Sequence, residues 1–168
     1  MNNINLYKEF YFREIDRKIN LNNSFNLPIL IISVIISIHF YLFKQDLSIC
    51  ILTVGKILSS LTFLSIILSL YFLLKSFSNL FRTHIYREIA DSEKILDYEK
   101  SLLNNEKKEK KAETLFIKFL TTEFAECAKH NFEINKTRTE DLANTKQILF
   151  IAIILTILYS LIYILSII

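Results

Sequence analysis

Four hydroxyl side chains, Ser59, Thr62, Ser65 and Ser69, stand three, three and four residues apart in a stretch, 57–74, that carries no Asp, Glu, Lys or Arg. On a helix that spacing sets all four along one side. In hydrocarbon, polar side chains that repeat on one face turn toward another helix or toward water, which makes the stripe a candidate pore lining. Three spans cannot enclose a pore alone, so a wet stripe requires a homo-oligomer whose second spans ring an axis. The competing use is a dry helix contact, because Ser and Thr bond back to their own helix carbonyls and are ordinary where helices pack closely. Thr156 and Ser160, with Tyr159 and Tyr163 beside them, form a second such face that could pack against the first.

A second set lies near the end of the long polar region. Asn131, Asn135, Arg138 and Leu142 fall four, three and four apart, with Lys129, His130 and Lys136 close by. An amide offers donor and acceptor and a guanidinium a planar donor fork, so Lys129, Asn131, Asn135, Lys136 and Arg138 are candidate ligands for a polar or phosphate-bearing molecule. The commoner use of such a set is a hydrogen-bonded seam between subunits. Lys107, Lys108, Lys110 and Lys111 are a further anion candidate, diluted by Glu106 and Glu109, and read more simply as a solvated turn.

Catalysis needs convergent groups, and no catalytic residue can be nominated. The chain lacks His-Glu-x-x-His, Cys-x-x-Cys, a Gly-x-Ser-x-Gly elbow and a glycine-rich phosphate loop, and its three histidines, His39, His84 and His130, are scattered. Cys50 and Cys127 are far apart and read as packing residues, so no metal or cofactor is expected. His39 sits at the far end of the first apolar block, and its closeness to Tyr41 and Lys44 favours a place at the wet interface over membrane depth.

The elements that must hold these residues follow from composition. The chain is 52% hydrophobic, with one glycine and one proline, which leaves almost nothing for tight turns and points to an all-α membrane protein. Three blocks without charge, 27–43, 57–74 and 148–168, are the transmembrane helices; the first two are near the minimum length of about 17 residues. Residues 1–26 form an amphipathic juxtamembrane helix, with Tyr7, Tyr11, Ile15 and Ile19 on one face, and not a signal peptide. Residues 44–56 are a short external connection whose apolar middle could extend the second span or lie flat on the surface. Residues 75–147 form a cytosolic helical hairpin turning at 104–111. Its first arm carries the stripe Phe81, Ile85, Ile89, Leu96 and Leu103, and with no Gly or Pro to stop it, one helix is expected to run from Ile57 to Leu103.

Lys and Arg set the orientation. Four precede the first span, two flank the short connection and fourteen separate the second span from the third. The positive-inside rule then puts the N-terminus and the hairpin in the cytoplasm and the C-terminus outside.

The aromatic, charged lead-in YKEFYFREIDRKINLNNSFNLP, two spans close together, a long helical segment containing ECAKHNFEINKTRTEDL, and a last span at the end resemble small membrane effectors of bacterial anti-phage defence, among them the Hailong-type channels held closed by DNA oligomers. The resemblance implies an oligomeric, ligand-gated pore in the inner membrane. Its ligand would be a nucleotide or oligonucleotide made by a partner enzyme. The alternative from another class is a non-conducting scaffold whose hairpin recruits a protein while the spans only anchor it.

Overall fold

The computed structural model describes residues 3–44, 49–77, 85–106 and 109–167, with the backbone alone for 49–52 and 167. Every regular element among them is an α-helix: α1 Ile4–Asn23, α2 Asn26–Phe43, α3 Ile49–Phe77, α4 Ser92–Asn105 and α5 Glu109–Ile167. Three helical stretches, within Ile4–Phe43, Thr53–Phe77 and Glu109–Ser166, are long and apolar enough to cross a bilayer. The chain divides into two compact units: Met1–Asn20 with His84–Lys136, and Leu21–Thr83 with Thr137–Ile168.

The break between α1 and α2 has a local cause. Pro28 has no N–H to donate to the carbonyl four residues back, and its ring would clash there. The chain accordingly turns at Ser24 and Phe25, with Ser24 N–H on Leu21 O at 3.0 Å and Phe25 N–H on Asn22 O at 3.4 Å. α3 begins at Ile49, so the apolar second half of the short connection belongs to the helix.

The second unit packs α2, α3 and the distal part of α5. Its buried positions alternate three and four residues apart: Phe25 at the cap of α2 and Pro28, Ile32, Ile35, His39 and Leu42 on it; Gly55, Ser59, Thr62, Ile66, Ser69, Leu73 and Ser76 on α3; Arg138, Leu142, Thr145, Leu149, Ala152, Thr156 and Tyr159 on α5. A sustained 3.5-residue repeat is the pattern of helices that supercoil left-handedly with side chains interlocked. Exposure is inverted relative to a water-soluble protein. Leu64, Ile67, Phe150 and Leu165 are 62–73% exposed, whereas Thr62, Ser69 and Thr145 are completely buried. An apolar exterior around a polar interior suits lipid as the solvent.

The first unit departs from the single helix expected over 57–103. α3 stops at Phe77, residues 85–91 are non-helical, and α4 starts at Ser92 with Ile95 N–H on the carbonyl of Asp91 at 3.0 Å. Phe81 and His84 lie outside the described residues, as do Lys107 and Lys108 of the basic turn. Nothing local forbids a helix through Ile85, Tyr86, Arg87, Glu88, Ile89 and Ala90. Side chains of α5 outbid it by bonding the segment's main chain. α4 then packs on α5, with the Tyr98 and Phe119 rings 4.5 Å apart. Tyr11, Cys127 and Ala128 form the buried core of this unit, against which Phe10, Ile15, Ile89 and Phe124 pack, while Ile19 of the expected α1 face is half exposed.

Candidate functional site

In the second unit the 3.5-residue repeat stacks polar and apolar layers in turn. The first polar layer is centred on His39, whose side chain is fully buried. Its Nδ1 lies 2.9 Å from Ser59 Oγ and its Nε2 3.2 Å from Thr156 Oγ1. The Thr156 hydroxyl donates to Ala152 O at 2.8 Å, so its oxygen accepts from His39 Nε2–H. In the neutral imidazole that leaves Nδ1 to accept from the Ser59 hydroxyl, which fixes the tautomer. The Phe63 and Tyr159 rings, 5.6 and 5.5 Å away, enclose the imidazole. His39 is therefore a core residue of the span and not a wetted one at its end; three-helix packing, invisible to a hydropathy profile, covers it.

An apolar layer of Ile32, Ile35, Ile66, Leu149 and Ala152 comes next. Beyond it Ser69 donates to Thr145 O at 3.3 Å. A second apolar layer of Leu21, Phe25, Leu73 and Leu142 follows. The last polar layer carries charge. Ser76 Oγ donates to Arg138 O at 2.8 Å, Arg138 Nε returns a bond to Ser76 O at 2.9 Å, and Arg138 NH2 reaches Asn22 Oδ1 at 2.6 Å. One helical turn away Lys75 Nζ meets Asp141 Oδ1 at 2.8 Å, and Asp141 Oδ2 is buried without a partner.

The hydroxyl stripe is thereby divided. Ser59, Thr62 and Ser69 are at most 1% exposed and face α2 or α5 of their own unit. Thr62 bonds back to Leu58 O at 2.9 Å. Ser65 falls between the seam positions, with Ile66 taking its place in the core, and bonds back to Leu61 O at 2.9 Å. The 3.5-residue repeat of two supercoiling neighbours decides which hydroxyls face inward; a straight-helix face does not.

In the first unit the two amides hold main chain. Asn131 Oδ1 accepts from Arg87 N–H at 2.9 Å while Asn131 Nδ2 donates to Arg87 O at 3.0 Å, the pairing a neighbouring strand would supply. His130 Nε2 donates to Ile85 O at 2.8 Å, and the Cys127 thiol lies 3.7 Å from Glu88 O. Asn135 Nδ2 donates to Glu14 O at 2.8 Å and to Glu14 Oε2 at 3.1 Å, and its Oδ1 accepts from Tyr86 OH at 2.6 Å. Arg17 Nη1 lies 3.8 Å from the buried Glu14 carboxylate. Burial pushes the Tyr11 phenol above its ordinary range, against the Ile89 backbone bond that lowers it, and burial likewise pushes the Cys127 thiol up.

The five candidate ligand residues are held in different ways. Asn131 and Asn135 are completely buried in the first unit, Arg138 is buried in the polar seam of the second, and Lys129 and Lys136 are exposed. Lys129 lines a cavity of about 380 Å³ with Tyr7, Phe10, Arg13, Glu14 and Phe132, where the Arg13 guanidinium lies 4.9 Å from the centre of the Phe10 ring. Sequence reasoning missed Glu14, Lys75, Asp141 and Thr145. For Glu14, Asp141 and Thr145 the signal was present in their three-and-four spacing from buried positions, once a 3.5-residue repeat is sought in place of a straight face; Lys75 falls outside that spacing. Among the described residues no group of His, Cys, Asp and Glu is disposed to hold a metal.

The described residues form an all-helical chain with three helices long and apolar enough to cross a membrane. Compared with protein-family models, curated proteins and solved structures, the chain matches none.

Proposed function

We propose that this chain is a homo-oligomeric membrane effector of bacterial anti-phage defence, a ligand-gated pore that permeabilises the inner membrane. The observation that supports the reading is the layered seam of α2, α3 and α5, in which His39, Ser69 and Arg138 mark polar layers separated by two apolar ones. Ionisable groups inside a span are costly and mark pathways far more often than packing alone would require. In this reading the apolar layer around Ile66 is the closed gate, because it holds each α3 against α2 and α5 of its own chain and keeps its polar face dry. Opening parts α3 from α2 and α5 and turns that face to the axis ringed by the α3 helices of the homo-oligomer.

Charge counts orient the chain with its N-terminus, the amphipathic α1 and the α4–α5 hairpin in the cytoplasm and the far end of α5 outside. The ligand, a nucleotide or oligonucleotide from a partner enzyme, would act on that cytoplasmic part. The test is ion and dye flux from proteoliposomes carrying the wild-type chain or Ile66→Ser, which weakens the contact that keeps α3 closed against its own chain. Ile66→Ser is expected to leak without any ligand and to arrest growth on expression. If it keeps the wild-type circular dichroism and passes nothing, the pore reading fails.

One observation favours a second reading, the non-conducting scaffold. Ser59, Thr62 and Ser69 are each hydrogen-bonded within the chain and at most 1% exposed, so the polar layers could serve to fix the register of the three helices. Under that reading Ile66→Ser changes stability and nothing else.

A further inference from the structure

Residues 85–91 combine two opposed tendencies. The segment contains no Gly or Pro and reads Ile-Tyr-Arg-Glu-Ile-Ala-Asp, a composition that a helix accepts, and Ser92 opens α4 immediately after it. It is nevertheless non-helical, and what holds it so comes from elsewhere. Asn131 pairs with both main-chain groups of Arg87, His130 bonds Ile85 O, Asn135 bonds the Tyr86 hydroxyl, and the Tyr11 phenol bonds the Ile89 backbone. In a helix the Arg87 N–H and C=O would point along the axis to residues four away and could not both meet one side-chain amide. The two conformations therefore compete for the same backbone groups.

We propose that residues 85–91 are a two-state strap, latched extended on α5 by Asn131 and coiling into an N-terminal extension of α4 when that latch opens. Asn131 is the latch because it is completely buried and supplies both bonds to one residue. Asn135 ties the same strap to α1 through Glu14, so α1, the strap and α5 release together. The α4 boundary is open to this. Asp91 makes no side-chain capping bond to the helix, and Glu93 in the first turn would sit equally well one turn inside a longer helix. The strap stands whether or not the spans conduct.

The experiment uses the full chain with Cys50→Ser and Cys127→Ser and nitroxide labels at residues 85 and 91, both exposed. Six residue steps span about 20 Å extended at about 3.3 Å each, and about 9 Å as a helix at 1.5 Å each. Dipolar broadening separates the two. The latched chain is expected to show the longer separation, and Asn131→Ala to populate the shorter one. Asn131→Asp, which keeps the acceptor and loses the donor, is expected to fall between. Adding Glu88→Pro to Asn131→Ala, which forbids the helix but suits an extended segment, is expected to abolish the short separation. The proposal is overturned if Asn131→Ala leaves the longer separation unchanged. It is equally overturned if Asn131→Ala gives a broad distribution with no 9 Å component, since the strap then unravels and does not coil.

Discussion

The Lys75–Asp141 pair offers a sharp test of the second unit's packing. Asp141 is 5% exposed at its side chain and Lys75 18%, with Nζ on Oδ1 at 2.8 Å and Oδ2 unpartnered. Lys75→Met keeps an unbranched side chain and removes the charge, along with the ammonium that lies 5.5 Å from the centre of the Phe72 ring. It leaves a buried carboxylate with neither oxygen paired to a cation. Breaking a buried pair from one side costs about 3–5 kcal/mol, which at about 1.4 kcal/mol per decade lowers the folded population relative to the unfolded by roughly two to three and a half powers of ten. Lys75→Met with Asp141→Leu removes both charges together with the orphaned oxygen, and it is expected to lie within about 1 kcal/mol of the wild type or above it. Asp141→Leu alone is expected to cost less than Lys75→Met, because the partly exposed ammonium can reach water. The assay is a double-mutant cycle from reversible unfolding in mixed micelles of mild detergent and SDS, followed by circular dichroism. A coupling below about 0.5 kcal/mol, the level of an exposed pair, would refute the assignment of Asp141 to the buried seam.

Two further predictions bear on neighbouring parts. A Cβ added at Gly55 would stand 2.5 Å from Tyr159 Cε2 and 3.1 Å from Cζ, against the ring that covers His39. Gly55→Ala therefore gains about 1 kcal/mol of helix propensity but loses about 1–3 kcal/mol to overpacking; a net destabilisation is expected, and Tyr159→Leu in the same chain should relieve it, as thermal unfolding in detergent will show. In the first unit, burial raises the Cys127 and Tyr11 values, so the folded state holds those protons to higher pH than the unfolded one. Stability from these groups is complete below the ordinary thiol value, about pH 8.5, and is lost as pH rises through the raised values. A melting curve that strengthens above that pH would contradict this sign, and alkylation of Cys127 in the folded chain is expected to lag behind that in SDS.

Much of the architecture was legible in the residues themselves. Three charge-free blocks and a near absence of Gly and Pro suffice for an all-helical chain with three candidate spans, because chain length in hydrocarbon and backbone satisfaction are composition-level demands. The site was less legible. The face drawn through Ser59, Thr62, Ser65 and Ser69 assumes a straight helix, and the observed seam substitutes Ile66 for Ser65 because the contacts of supercoiled neighbours recur every 3.5 residues. Asn131, Asn135 and Arg138 stand on one helix, and their hydrogen bonds go to the main chain of Arg87, to Glu14 and Tyr86, and to Ser76 and Asn22, partners no spacing along the helix names.

What the sequence determines by itself is which segments are apolar enough to span a membrane and the helical habit of nearly all of it, since both follow from side-chain polarity and local propensity. Tertiary structure alone decides that His39 is enclosed, that Asp141 is buried beside Lys75, and that residues 85–91 are non-helical where their own preferences allow a helix. In each case the deciding partner lies 20 to 117 positions away along the chain. Side-chain amides and hydroxyls at such range compete for hydrogen bonds on terms that no local window contains.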